Sequence, residues 1–311
     1  MHCGLQTVVV DKLSSVLVVI DPALESQHAI TRAVQLARHF HAELELFLCD
    51  AEHAYALRHA YDVSGVSEAA RECLEKGRRQ LEALTSVLAE DVLFSMHVAC
   101  DSPLYEAIVR RVMQLQPGLV VKGPGQRGTL DANDWDLART CPVPLMFTRG
   151  RPWSTGGVRF AAALDVSEPD AVSVARGILQ TAGFLAAGCG ARLDVVYSDA
   201  EPGDRSAHRR RCDQLRRLAS ECQVSADHLH ILRGQPEETL PAFSAGYDVL
   251  VLGALARHAA VATHMGTLTA RLADVLDCDV VLVKSDEDER AAGVRLFEAQ
   301  PDNSAPSIGS A

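Results

Sequence analysis

The sequence predicts an α/β fold of two similar halves, each a three-layer domain in which helices cover a five-stranded parallel sheet. Short β-branched runs alternate with helical stretches along the chain, and this alternation implies right-handed crossovers between parallel strands. The landmarks of the first half recur in the second, as expected for a duplicated unit. The length of 311 residues also suits two domains of about 150 residues each.

The internal repeat is weak but keeps the same order in both halves. The segment 16–37 (VLVVIDPALESQHAITRAVQLA) corresponds to 159–180 (RFAAALDVSEPDAVSVARGILQ), since each has a strand that ends in Asp, a polar turn and a helical period. Further on, GLVVKG (118–123) corresponds to DVLVLG (248–253). The shared order predicts a tandem repeat of one architecture.

Each half is predicted to contain five strands with helices between them. The predicted strands lie near 16–20, 43–49, 92–99, 118–122 and 143–148 in the first half, and near 158–164, 191–197, 228–232, 248–252 and 279–284 in the second. We therefore divide the chain into a first domain (1–149), a Gly- and Pro-containing linker (150–157), a second domain (158–285) and an acidic tail (286–311). The tail has no apolar period, and we expect it to be disordered.

Composition excludes several classes of protein. The net charge of −11 argues against nucleic-acid binding, which needs clustered Lys and Arg. One basic run is interpreted as a solvated helix face: Arg209, Arg210, Arg211, Arg216 and Arg217. Without an apolar run of about 18 residues, an integral membrane protein is not expected. The 9 cysteines form no C-x-x-C pair, which is typical of a reducing cytoplasm.

The loop predicted after the fourth strand of the second half has the chemistry of an anion site. Gly253 ends the strand, Ala256 follows three residues later, and after nine more residues Gly266 and Thr267 open a helix. Glycine lets a backbone approach a ligand closely, and free N–H groups at a helix start attract anions. Arg257 adds a cation to this loop.

These residues carry a family resemblance. Both halves resemble universal stress protein domains, whose nucleotide-binding members have Gly, two residues, Gly, nine residues, Gly and then Ser or Thr after the fourth strand. The second half has this spacing, with Ala256 in place of the middle glycine. The segments VLVVIDP (16–22), DWDLARTCPVP (134–144) and PWSTGG (152–157) are similar to the tandem, E-type branch. The resemblance covers roughly 13–285 and implies two flavodoxin-like (adenine nucleotide alpha hydrolase-like) domains.

The resemblance also implies a site for an adenine nucleotide in the second half. The carboxylate after the first strand approaches the adenosine, which corresponds to Asp165 with Ala163 beside it. The end of the second strand lines the adenine pocket, which corresponds to Tyr197. The phosphate loop corresponds to Gly253, Ala256, Gly266, Thr267 and Leu268. ATP, with Mg²⁺ if it is bound, is the implied ligand. A methyl group at Ala256 costs on the order of 1 kcal/mol if the position needs a positive φ.

The first half is expected to have a degenerate site. Its loop carries Gly123, Gly125 and Gly128, but the spacing differs and Pro124 removes one N–H donor. The acidic residues that follow would repel phosphate, and Asp134 is expected to be the N-cap of the next helix.

No residue is assigned to catalysis or to a metal. The sequence has no Walker loop, G-x-S-x-G turn or H-E-x-x-H helix. His228 and His230 share one strand face, a spacing that zinc can use, but an H-x-H pair by itself is more often incidental, and this pair is expected to be so.

The resemblance implies a cytoplasmic stress-response module with unidentified protein partners, and no catalysis is committed to. The two halves are expected to pack as an intramolecular pseudo-dimer, and a homodimer of the chain remains open. A slow ATPase, and a binder of a more apolar ligand in the crevice between the halves, are the alternatives. Nucleic acid and membrane are not expected partners.

Overall fold

The computed structural model describes nine segments of the chain. They are residues 13–23, 27–59, 66–85, 91–125, 129–166, 169–200, 205–254, 272–273 and 275–284. The predicted acidic tail lies outside the described residues.

Each half contains five described strands with helices between them. In the first half the elements are β1 (Ser15–Ile20), α1 (His28–Phe40), β2 (Glu43–Cys49), α2 (Ala51–Arg58), α3 (Val66–Thr85), β3 (Phe94–Ala99), α4 (Leu104–Leu115), β4 (Leu119–Lys122), α5 (Ala132–Thr140) and β5 (Leu145–Phe147). In the second half they are β6 (Arg159–Ala163), α6 (Pro169–Gly188), β7 (Arg192–Asp199), α7 (Arg205–Glu221), β8 (His228–Arg233), α8 (Pro236–Ser244), β9 (Val249–Gly253) and β10 (Asp279–Val283).

All ten strands form one sheet in the order β3-β2-β1-β4-β5-β10-β9-β6-β7-β8. Within each half every pair is parallel, whereas β5 and β10 pair antiparallel, with Met146 opposite Val281. The strand order of the first half is therefore repeated in the second, and the two copies meet at β5 and β10. The predicted pair of α/β halves with five-stranded parallel sheets is confirmed.

The helices cover both faces of this sheet. Apolar side chains on α1, α3, α6 and α7 pack against one face, and those on α4, α5 and α8 pack against the other. The central strands are apolar on both faces because both are covered, as the runs of Val and Leu in β1 and β9 show. Each fully buried Leu or Val side chain contributes about 1.5–3 kcal/mol.

Helix α1 illustrates how the sequence specifies these elements. Ile30, Ala33 and Ala37 recur at helical spacing and are buried. The helix ends at His41, whose φ of 52° is left-handed and whose N–H donates to the carbonyl of Ala37. This turn leads directly into β2.

Helix α6 is the most apolar helix of the structure in composition. Its segment Ala171–Gly188 is long and apolar enough, by these criteria alone, to cross a membrane. Ile178, Ala182 and Leu185 are buried in the core beneath the sheet. The apolar composition of α6 is therefore explained by its place in the fold.

The segment predicted as a linker is packed against both halves. Trp153 is 8% exposed, and its indole Nε1 donates to Asp279 over 3.0 Å. The backbone N–H and the hydroxyl of Ser154 donate to Asp248 over 2.8 and 2.9 Å. Two carboxylates of the second half thus hold this segment in place.

Two details differ from the sequence prediction. Helix α2 follows β2 directly, with Asp50 as its N-cap, so two helices connect β2 to β3. The predicted N-cap at Asp134 is wrong: α5 begins three residues earlier and is capped by Asp131, and the two carboxylates form a capping box. The position of the N-cap residue determines where a helix begins. Asp131 and Asp134 are equally suited to be an N-cap by residue type, so the sequence does not distinguish them.

Candidate functional site

The candidate site lies where strands β6 and β9 are neighbours at their carboxyl ends. β6 pairs with β7 on one side and with β9 on the other, so the strand order reverses between β6 and β9. Crevices at such a reversal are where open parallel sheets bind ligands. Ala163 ends β6 and is half-buried, Asp165 is exposed two residues later, and Gly253 ends β9. The structure thus brings these three predicted residues to one edge.

Tyr197 lies beside this edge but in the core. Its side chain is 5% exposed, and burial raises the pKa of its phenol; Asp199 and Asp165 raise this pKa further, and Arg211 lowers it. The Arg211 guanidinium lies 5.3 Å from the ring centroid and forms an ion pair with Asp199. This guanidinium therefore belongs to a packed cluster, unlike the solvated face predicted for the basic run.

Gly253 has a packing role that its place in a glycine motif does not reveal. A Cβ atom at this position would lie 3.0 Å from Val174 Cγ1 and 3.6 Å from Ile178 Cδ1, both on α6. The missing side chain lets α6 approach the end of β9 closely. This requirement and close approach to a ligand both favour glycine.

The remaining predicted site residues lie outside the described residues. They are Ala256, Arg257, Gly266, Thr267 and Leu268.

The corresponding loop of the first half is held by acidic and basic side chains of its own. Lys122 Nζ lies 2.7 Å from the Asp134 carboxylate, and both side chains are buried. The N–H of Asp134 donates to the Asp131 side chain, and the N–H of Asp131 donates to the Asp134 side chain, each over 3.0 Å. Carboxylates therefore occupy the start of α5, where a phosphate would otherwise find N–H donors.

The structure also contains a pair of related cavities that the sequence did not indicate. One, of about 250 Å³, is lined by Pro22, Leu48, Asp50, Cys73, Lys76, Gly77 and Gln80. The other, of about 450 Å³, is lined by Val166, Val172, Arg210, Gln214, Arg217, Leu218 and Glu221.

Each cavity has an equivalent hydrogen bond from a glutamine side chain to a main-chain carbonyl. The Gln80 amide donates to the carbonyl of Pro22 over 2.7 Å, and the Gln214 amide donates to the carbonyl of Val166 over 3.2 Å. Counting back three residues from each glutamine gives Gly77 and Arg211. A Cβ atom at Gly77 would lie 2.6 Å from Val98 Cγ1 and 3.1 Å from Leu48 Cδ2, so α3 packs closely against β2 and β3 there, whereas Arg211 lies over the ring of Tyr197.

Several thiols are unsuited to nucleophilic chemistry. Burial raises the pKa of Cys49 to about 11 and that of Cys73, Cys189 and Cys278 to about 12. The thiolate is the reactive form, so these side chains stay protonated and unreactive at neutral pH.

Two histidines and a carboxylate meet on the outer strands of the second half. His228 and His230 on β8 lie 3.2 Å from the two oxygens of Asp194 on β7. Burial alone would raise the pKa of the Asp194 carboxyl, but hydrogen bonds from Tyr247, His230 and His228 outweigh it and hold this pKa below its ordinary value. The sequence did not indicate Asp194 as a partner of the histidines, because it lies 34 residues before His228.

Comparisons with known proteins agree with this architecture. The sequence profile of the universal stress protein family matches residues 13–149. Universal stress protein E of Escherichia coli (strain K12) is 24% identical over 311 residues, which cover 88% of this chain and 94% of the relative. The universal stress protein E homolog of Haemophilus influenzae is also 24% identical and covers 88% of this chain and 98% of its own.

Solved structures share the fold over nearly the whole chain. A putative universal stress protein from Pseudomonas aeruginosa UCBPP-PA14 has a TM-score of 0.69 at 24% identity and covers 92% of this chain and 98% of its own. A universal stress protein from Archaeoglobus fulgidus has a TM-score of 0.62 at 17% identity. The match covers 89% of this chain and 98% of the archaeal chain. The profile assigns residues 13–149 to the universal stress protein family, and the alignment of the E-type relatives across both halves supports a tandem, E-type universal stress protein.

Proposed function

We propose that this chain is a cytoplasmic stress-response module that binds an adenine nucleotide, ATP with Mg²⁺, at the carboxyl edge of its second half. The stress-response role follows from its family and its E-type relatives. The nucleotide, its site and the cytoplasmic location are our proposal. The observation that carries it is the meeting of Ala163, Asp165 and Gly253 where the strand order reverses.

Each of these residues suits part of a nucleotide. The exposed Asp165 carboxylate would accept hydrogen bonds from ribose hydroxyls, and the small side chain of Ala163 would let the adenosine approach the sheet. Tyr197 would bound the base on the side of β7. Gly253 would begin the phosphate loop, which continues through Ala256, Arg257, Gly266, Thr267 and Leu268, where main-chain N–H groups would face the phosphates.

The first half lacks these features in its described part. The Lys122–Asp134 pair and the capping box of α5 place carboxylates at the start of the helix. Negative charge at that place would oppose a phosphate. We therefore assign nucleotide binding to the second half alone.

No catalytic step belongs to this proposal. Nucleotide hydrolysis would need a residue that positions and deprotonates water, and we assign none. An apolar ligand between the halves finds little support among the described residues, because the stacked rings of Phe40 and Phe184, 5.1 Å apart, lie at that junction.

Ligand-dependent thermal stability, with equilibrium dialysis, tests the proposal. At a hundred times the Kd, ATP should stabilise the parent chain by about 2.7 kcal/mol. Asp165→Asn should weaken ATP binding, and Gly266→Asp should abolish it by placing a carboxylate among the phosphates. Asp21→Asn is the matched control, because Asp21 follows β1 as Asp165 follows β6, and it should retain the full stabilisation.

Three results would contradict parts of this proposal. Parent chain that retains no ATP on dialysis would refute nucleotide binding. Equal stabilisation of the parent and Gly266→Asp would refute the site. Release of phosphate by pure protein, lost in Thr267→Ala, would establish the slow ATPase instead.

A further inference from the structure

The outer strands of the second half bring two imidazoles to a buried carboxylate. Asp194 on β7 lies directly opposite His228 on β8, and Val196 lies opposite His230. Side chains two residues apart on a strand share a face, so both imidazoles lie on the same face as Asp194.

The distances among these groups suit a small metal ion. Asp194 Oδ1 is 3.2 Å from His228 Nδ1, and Asp194 Oδ2 is 3.2 Å from His230 Nε2. One ligand atom from each residue can be chosen so that all three lie within 4.8 Å of one another. An ion that binds its ligands at about 2.0–2.1 Å in a tetrahedron keeps them about 3.3 Å apart. A modest inward movement of the imidazoles would therefore complete three corners.

The surroundings hold the carboxylate and leave one imidazole adjustable. The Asp194 side chain is 8% exposed, and the Tyr247 hydroxyl donates to Asp194 Oδ2 over 2.6 Å. The His230 ring packs edge-on against Phe243 at 5.1 Å. The side chain of His228 is 67% exposed, so it can reorient and an ion can enter from solvent.

The first half provides an internal contrast at the matching positions. There Glu45 corresponds to Asp194, and Ser95 and His97 correspond to His228 and His230. Two nitrogens of the Arg111 guanidinium each lie 2.5 Å from a Glu45 oxygen. At these positions the first half thus neutralises its carboxylate with a fixed cation and has one histidine, His97. The second half has two histidines beside its carboxylate, which is the donor set of a metal site.

We propose that Asp194, His228 and His230 bind a divalent transition-metal ion of the Zn²⁺ class, with Tyr247 as a positioning residue for the carboxylate. Two imidazole nitrogens and one carboxylate oxygen suit zinc-like ions better than Mg²⁺ or Ca²⁺, which prefer oxygen ligands. Three protein ligands leave a fourth position for water or an external ligand. This site is independent of the proposed nucleotide site.

Metal titration of the full-length chain, free of any histidine tag and stripped with a chelator, tests the proposal. Zn²⁺ affinity is measured by calorimetry, and Co²⁺ serves as a spectroscopic probe. We expect the parent to bind one ion with a visible Co²⁺ band typical of nitrogen and oxygen ligands. His228→Gln and His230→Gln should each weaken binding at least tenfold, whereas His97→Gln, the matched change in the first half, should leave the affinity unchanged.

Further measurements separate a metal site from a structural cluster. Tyr247→Phe should weaken Zn²⁺ binding by about 10–100-fold, as loss of an outer-shell partner does, and a purely structural role would not change the affinity. The exposed His228 keeps the test valid even if a change at buried Asp194 prevents folding. Unchanged Zn²⁺ affinity in the double variant His228→Gln and His230→Gln would overturn the proposal. So would a Co²⁺ spectrum that shows only thiolate ligation, or a parent that binds no ion.

Discussion

At the scale of single residues, a buried ion pair ties the two halves and the segment between them together. Arg32 Nε on α1 donates to Asp279 on β10 over 2.5 Å, and the two side chains are 5% and 1% exposed. The same guanidinium lies 4.0 Å from the centre of the Trp153 ring and donates to the carbonyl of Arg151 over 2.8 Å. One arginine of the first half therefore contacts both other parts of the chain.

We expect Asp279→Asn to destabilise the chain by about 3 kcal/mol, because it leaves the charge of Arg32 buried without its anion. The matched control is Asp91→Asn, whose partner Arg38 is also on α1. That pair is about half exposed on both sides, so its loss should cost less than about 1 kcal/mol. Urea unfolding measures both values, and equal costs for the two changes would contradict the expectation.

Single residues were predicted unevenly from the sequence. Asp165 follows β6 and Gly253 ends β9, and the strand pattern predicted that both lie at the carboxyl edge of the sheet. The proximity of Asp194 to His228 could not be predicted, because it depends on the register of two strands that are far apart in sequence. Asp134 was misassigned because residue type alone does not say which of two aspartates ends up buried beside Lys122.

At the scale of elements, helices α1 and α6 meet through aromatic rings and a glycine. Phe40 ends α1 and stacks on Phe184 of α6. A Cβ atom at Gly188 would lie 2.1 Å from Cε1 and Cζ of Phe40. The glycine is therefore required by the neighbouring ring, although it lies within a helix, where alanine is intrinsically favoured by about 1 kcal/mol.

We expect Gly188→Ala to destabilise the parent by about 1 kcal/mol, because overpacking outweighs the gain in helix propensity. In a Phe40→Ala background the same change should be neutral or stabilising, since the ring is gone. A double-mutant cycle from urea unfolding measures this coupling. Strictly additive effects of the two changes would show that the Phe40 ring does not cause the destabilisation by Gly188→Ala.

Most elements were predictable because their apolar patterns are local. Strands β1 and β9 are runs of Val and Leu, and β2 is rich in Leu; the predicted ranges of all three fall on the strands of the structure. Helix α2 was missed because its eight residues have a weak apolar face, with Ala54 as its buried residue. The cavities were not predicted because they depend on which side chains pack beside Gly77 and Arg211 in the folded chain.

At the scale of the whole molecule, the two halves share one sheet and two cores. Both apolar clusters contain residues from each half, for example Val18 with Phe160 in one and Leu17 with Val280 in the other. The repeat predicted two domains and a linker, but not the pairing of β5 with β10. Pairing between edge strands depends on how two finished sheets meet, which local patterns do not encode.

We expect the chain to unfold in a single cooperative transition, with equal calorimetric and van't Hoff enthalpies. Met146→Asp places a charge in β5 at a side chain that is fully buried where β5 pairs with β10. It should uncouple the halves into two resolvable transitions. Met113→Asp, at a side chain that is 48% exposed, should retain one transition. Two transitions in the parent would contradict this expectation.

The antiparallel pairing of β5 with β10 also sets the directions in which the chain presents its surfaces. Every strand of the first half runs opposite to every strand of the second. The carboxyl edge of β6 and β9 therefore faces one pole of the molecule, and the cavity beside β2 opens toward the other. Ligands bound at these two places would therefore lie at opposite ends of the sheet.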